Sequence, residues 1–182
     1  MAVSARRGAP LTPEEIYAAA WRLIDAGGVE GLSMRKLAAE LDVNPMSVYH
    51  HVENKTALIH ELCLRTAAQL AMPPDDGSPW QDQMRALGHA YRELAHRQPS
   101  LWRYVFNNPE VMSRQQGGLW EVLDRLLRMA GVPEEELSRT AEILSSFVSG
   151  FIFSESTGGV RPDAFDDAVT LLIGGLEAYL DR

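Results

Sequence analysis

Residues 31–58 read Gly31-Leu-Ser-Met-Arg-Lys-Leu-Ala-Ala-Glu-Leu-Asp-Val-Asn-Pro-Met-Ser-Val-Tyr-His-His-Val-Glu-Asn-Lys-Thr-Ala-Leu58. Capping residues punctuate this stretch. Ser33 opens a short helix that runs through Leu41, and Asn44-Pro45 opens another of under two turns that ends near His51. Only Asp42-Val43-Asn44 lies between them, which is the spacing of a helix-turn-helix. Leu37, Ala38, Leu41, Val43 and Val48 are apolar or small and allow the two helices to cross closely, leaving Met46, Ser47, Tyr49, His50 and His51 largely outside. A helix as short as the second is not stable alone, so its neighbours must hold it. Its outer face is rich in groups that donate to phosphate or touch a base edge. Spacing alone suits either DNA binding or two ordinary crossing helices in a small helical domain.

Upstream, Thr12-Pro13-Glu14-Glu15 combines an N-cap, a proline at the first helical position and a capping-box acid. Ile16, Ala20, Leu23 and Ile24 continue it as an apolar stripe that ends at Gly27-Gly28. Downstream, Asn54 caps a fourth helix from Lys55 to about Ala71. The densest breaker cluster, Met72-Pro-Pro-Asp-Asp-Gly-Ser-Pro79, marks either a boundary between two modules or a loop in one continuous core. After it, Ser78-Pro79-Trp80-Gln81 opens a helix with the stripe Trp80, Met84, Leu87, Tyr91 and Leu94, closed by Gln98-Pro99. Breaks at Asn107-Asn108-Pro109, Gly131-Val132-Pro133 and 158–162 leave room for about four more helices, the last two over 134–157 and 163–181. No stretch alternates with a period of two beside hairpin chemistry, so the expected class is all-α. The expected segments are a flexible arm over 1–11, a helix-turn-helix domain over 12–71 and a helical bundle over 78–182.

The 182 residues, 46% of them hydrophobic, suffice for a core without staples. A single cysteine, Cys63, allows no internal disulfide and no thiolate metal site. The opening residues lack the apolar run of a signal peptide and no stretch is long enough to span a bilayer, so a cytoplasmic protein with no membrane partner is expected. The formal net charge of −8 is uneven: residues 1–72 carry 7 basic and 8 acidic side chains, residues 73–182 carry 10 and 17. An anionic polymer should therefore be met by the first segment.

The wording of 31–58 resembles the DNA-binding domain of the TetR family of bacterial transcriptional regulators, and the resemblance extends from about Leu11 to Leu70. Beyond it, Trp80-Gln-Asp82, His96-Arg97 and Gly174-Gly175-Leu-Glu-Ala-Tyr-Leu180 resemble the ligand-binding and dimerisation part of the tetracycline-repressor branch. The resemblance implies a homodimer on a palindromic double-stranded DNA operator, a regulator and not an enzyme, with no cofactor. It also implies a repressor, released by a small-molecule effector. On matching positions it implies a DNA-contacting set of Arg35, Asn44, Pro45, Met46, Ser47, Tyr49, His50, His51 and Lys55. Within that set Arg35 faces guanine, Pro45 and Met46 begin the base-facing helix, and Ser47, Tyr49, His51 and Lys55 grip phosphates, with Tyr49 also reaching a thymine methyl. His50 stands where the tetracycline repressor has tryptophan, and Pro45 replaces a polar base reader. Arg6 and Arg7 are either a groove-entering arm or a solvated tail.

The resemblance further places Leu87 and Arg103 where the tetracycline repressor holds magnesium-tetracycline through asparagine and histidine, which argues against that ligand and for a largely apolar one. The candidate lining is Met84, Leu87, Tyr91, Trp102, Arg103, Phe106, Trp120, Phe147 and Phe151, each of which is equally plausible core material. Leu137, Ala141, Leu144, Val148 and Phe151 form a seam with coiled-coil spacing, and so do Phe165, Val169, Leu172, Leu176 and Tyr179. Such seams suit packing within one subunit, whereas the resemblance implies a four-helix interface with a second copy, through Leu144, Val148, Phe151, Val169, Leu172, Gly175, Leu176 and Tyr179. The alternative function is a helical-bundle metal enzyme or metal sensor, because His89, Glu93 and His96 share a helix face at metal-ligand spacing. Only one Glu-x-x-His motif is present, however, and a di-iron bundle needs two.

Overall fold

Four side-chain caps start the first four helices. In the computed structural model, which describes residues 10–108 and 118–182, Thr12 and Glu15 close a reciprocal capping box on α1 (Pro13–Gly31): Thr12 N–H donates to Glu15 at 2.9 Å and Glu15 N–H donates back at 3.3 Å. The Ser33 hydroxyl accepts from Lys36 N–H at the start of α2 (Met34–Glu40), and Asn44 Oδ1 from Met46 N–H at the start of α3 (Pro45–Tyr49). Asn54 Oδ1 accepts from Ala57 N–H and starts α4 (Lys55–Ala67), which stops one turn short of the predicted Ala71. The predicted stop of α1 at Gly27-Gly28 is a kink. Gly28 adopts φ +69°, open to glycine at no steric cost, and the chain then makes one further turn to Gly31. All regular elements among the described residues are helical, and none is long and apolar enough to cross a membrane.

The chain divides into two compact units. In its described residues the first comprises 10–65 and 99–108, and the second 66–98 and 118–182. The first unit is therefore discontinuous: α6 (Pro99–Asn107) packs on α1. Its core joins fully buried Ile16, Ala20, Leu37, Val48, Leu58 and Leu62 to Leu101 from α6, with Tyr104 and Val105 partly buried against them. Each such aliphatic side chain contributes about 2 kcal/mol of apolar burial. An ion pair from Arg22 Nε to Glu40, 2.8 Å long, adds a polar tie between α1 and α2.

The second unit holds α5 (Trp80–Arg97), α7 (Gly118–Ala130), α8 (Leu137–Ser156) and α9 (Phe165–Leu180). The Ser78 hydroxyl does not cap α5; Pro79 occupies the cap position. Instead Gln83, 2% exposed, donates to the Ser78 carbonyl at 2.9 Å and accepts from Arg125 at 2.8 Å. Arg125 also donates to the Pro73 carbonyl at 3.1 Å and to Asp75 at 3.3 Å, so one guanidinium straps the breaker-rich segment 73–78 onto α7.

Phe165 is buried where α5, α8 and α9 meet. Phe151 and His89 meet its ring edge to face, with ring centroids 5.5 and 5.3 Å away, and the Arg92 guanidinium lies over it at 4.7 Å. Gly88 faces Val169 and Phe165 and keeps the crossing of α5 and α9 close.

Candidate nucleic-acid interface

The turn that sets α3 against α2 is tight. Asp42 sits at φ +53°, Asp42 N–H donates to the Ala39 carbonyl at 3.2 Å, and Val43 N–H donates to Ala38 at 3.0 Å. Val48 is fully buried and anchors α3 from beneath. That anchor turns the opposite side of the helix to solvent. Met46 is 61% exposed and Tyr49 45%, and Pro45, His50 and His51 are exposed beside them. Arg35, in the first turn of α2, is exposed as well.

Three members of the predicted set hold structural positions in addition. Asn44 spends its side-chain oxygen on the cap, and Ser47 is half-buried. Lys55 is half-buried too, and its ammonium donates to the Val29 carbonyl at 2.7 Å. Lys36, which sequence reading left unassigned, donates to the Gly31 carbonyl at 3.0 Å. The last turn of α1 carries no basic residue, so these two ammonium groups satisfy its terminal carbonyls from neighbouring helices. A lysine three residues beyond a cap serine and one just after Asn54 are the only hints the sequence offers. Arg6 and Arg7 lie outside the described residues.

The residues expected to line a pocket fall in both units. Trp102, Arg103 and Phe106 belong to α6 in the first, where Trp102 is buried and stacks on Phe106 with ring centroids 5.3 Å apart, and Arg103 is exposed. Met84, Leu87, Tyr91, Trp120, Phe147 and Phe151 belong to the second. There Met84 and Leu87 are buried, Tyr91, Trp120 and Phe151 are half-buried, and the Tyr91 hydroxyl lies 3.0 Å from that of Ser149. Phe147 departs from the expectation of an inward side chain. It is 49% exposed, because Leu144 and not Phe147 faces the protomer core at this level of α8.

Part of the expected interface seam belongs to the protomer's own core. Leu144, Val169 and Leu176 are buried within a single chain, Val148, Phe151 and Leu172 are half-buried, and only Gly175 and Tyr179 are exposed. Tyr179 donates its hydroxyl to Glu136 at 2.9 Å.

The residues of the proposed metal face each contact a different partner. His89 lies 2.8 Å from Asp166, Glu93 pairs with Arg97, and His96 lies 3.3 Å from Glu155. No group of three potential ligands among the described residues could hold a metal ion, so the metal reading fails on geometry. Glu155 is half-buried, its side chain largely covered, and takes two hydrogen bonds from the Arg92 guanidinium, which hold its carboxyl below the usual glutamate range. Burial pushes the Cys63 thiol up to about 12, which leaves it an inert core group.

Residues 16–62 match the model for bacterial regulatory proteins of the tetR family, and residues 84–176 match the tetracyclin repressor-like C-terminal domain. The HTH-type transcriptional repressor DrrR1 of Streptomyces coeruleorubidus is 31% identical over 141 residues, 77% of this chain and 52% of that protein. The chain spans about half of the length of DrrR1 and about three fifths of that of a further HTH-type transcriptional regulator, from Saccharopolyspora erythraea, that it matches. Among solved structures, BioQ of Mycobacterium smegmatis has a TM-score of 0.77 at 27% identity, covering 92% of this chain and 99% of BioQ. BioQ with its double-stranded DNA operator gives 0.74. Streptomyces coelicolor ActR, 23% identical, shares the fold at a TM-score of 0.79, covering 94% of this chain and 100% of ActR.

Proposed function

This chain belongs to the tetR family of bacterial regulatory proteins, and from that premise we propose that it is a cytoplasmic, homodimeric transcriptional repressor whose first unit binds a palindromic operator. The observation that carries the reading is the anchoring of α3: Val48 is fully buried, and Met46, Tyr49, His50 and His51 stand clear of the protein where a major groove can receive them. BioQ, a 27% identical relative, was solved on its operator, and DrrR1 is a repressor.

A second copy supplies the symmetry that a palindrome requires. Support for it lies on a face of α8 and α9 that the protomer leaves bare: Ile143 is 58% exposed, Phe147 49% and Leu171 74%, with Gly150, Gly174 and Gly175 open beside them. Large apolar side chains and glycines together make a surface on which another helix pair can approach closely. The interface we propose is this face, with Gly175 retained from the seam expected from sequence.

Release requires an effector that binds more tightly to a state in which the two reading helices are wrongly spaced. The second unit offers a mainly apolar environment, with the Tyr91 and Ser149 hydroxyls as polar points, which suits a small, largely apolar molecule. Selection of bound fragments from a random duplex pool, followed by fluorescence anisotropy, tests the central reading. Enrichment of an inverted repeat with half-sites about one helical turn apart is expected; failure to enrich any sequence over the starting pool would overturn it.

A further inference from the structure

The two residues that open α3 offer little to hydrogen-bond with. Pro45 has no polar side-chain group and the Met46 thioether is at most a weak acceptor, whereas Asn44 before them gives its Oδ1 to Met46 N–H and keeps its amide donors. What Pro45 and Met46 present is apolar. Met46 and Tyr49 lie three residues apart, hence on one stripe of the helix, and both are among the exposed large hydrophobic side chains of the protein. In a major groove the one apolar group on a standard base edge is the 5-methyl of thymine. A methionine side chain, unbranched and polarizable, adapts to such a group without needing a fixed rotamer.

We infer that Met46 is a specificity-determining residue that selects thymine in each operator half-site by packing against its 5-methyl group, with Pro45 and Tyr49 forming the walls of the contact. The inference rests on the regulator reading above and adds the chemistry of one base position to it. It makes recognition there a matter of excluded water and not of donor and acceptor matching.

Deoxyuridine removes the methyl group and leaves every hydrogen-bonding edge unchanged. The best duplex from the random-pool selection, resynthesised with deoxyuridine at each thymine in turn, is the probe. One position per half-site should weaken binding about fourfold when substituted, and about fifteenfold when both half-sites are changed. In Met46→Ala protein, which alters an exposed side chain and leaves the Val48 anchor in place, the penalty at that position should shrink to less than twofold. Binding that is indifferent to every thymine-to-uracil change would overturn the inference, as would a penalty that persists undiminished in Met46→Ala. Either result would leave operator binding itself standing. Failure to select any duplex would instead remove the regulator reading, and this inference with it.

Discussion

The ammonium of Lys55 donates to the carbonyl of Val29 at 2.7 Å, joining the start of α4 to the kinked end of α1 across 26 residues of chain. A residue that family resemblance assigns to phosphate contact is thus also a structural tie. An ammonium carries three protons, and one is spent here.

Lys55→Met keeps the apolar stem and leaves the Val29 carbonyl without its donor. Stability of the first unit should fall by about 1–3 kcal/mol, read from urea unfolding with Trp21 and Trp102 fluorescence. Affinity for operator and random duplex should fall by the same factor, and the slope of log affinity against log salt should flatten by about 1.

Arg35 is exposed in the first turn of α2, the helix that α3 packs against. Arg35→Ala should weaken operator binding by about 1–3 kcal/mol and relax preference at one base pair per half-site, with random DNA little affected. Anisotropy titrations on matched and scrambled duplexes check this; equal losses on both would take Arg35 out of base reading.

Leu171→Arg and Gly175→Arg place a charge on the bare face of α9, and a Cβ at 175 would have no described atom within 4 Å. Both variants should be monomeric by light scattering, keep their helical circular dichroism and lose operator binding. A dimer that survives both changes would place the interface elsewhere.

Arg125 and Arg128 lie one turn apart on α7 and should respond very differently to substitution. Arg125→Leu strips buried Gln83 and the Pro73 carbonyl of their donor and should cost about 2–3 kcal/mol, followed by Trp80 and Trp120 fluorescence. Arg128→Leu removes an exposed, solvent-screened pair with Glu134 and should leave the unfolding midpoint nearly unchanged.

The Glu155 carboxyl is held low by hydrogen bonds from Arg92, with His96 also facing it from α5. A depressed folded-state value means that the stabilisation is fully present above the ordinary glutamate range and is lost as pH falls toward the folded value. Melting temperatures measured from pH 7 to pH 3 should drop more steeply in wild type than in Glu155→Gln, which starts lower and is flatter. Parallel curves would show that the pair contributes nothing to acid sensitivity.

Local chemistry was the legible part of this chain. Thr12, Ser33, Asn44 and Asn54 all cap where their side chains predict, because a cap depends on residues within three positions. The reading face of α3 was legible for a similar reason, since burying Val48 fixes which side faces out. The bare face of α8 and α9 was not. Each helix carries two apolar stripes, and spacing alone cannot say whether Leu144 or Phe147 meets the protomer's own core. Nor could the sequence show that Gln83, rather than Ser78, organises the entry to α5, because that depends on Arg125, 42 residues away.

The return of α6 to the first unit has a consequence for synthesis. As the chain leaves the ribosome, α1 to α4 emerge while Leu101, Tyr104 and Val105 are still to be made or still inside the exit tunnel, so part of the core built on α1 waits uncovered. The reading head is completed only after α5, a helix of the other unit, has already been translated. A nascent or truncated product ending near residue 71 therefore lacks Leu101 and the cover that Tyr104 and Val105 give to the core on α1.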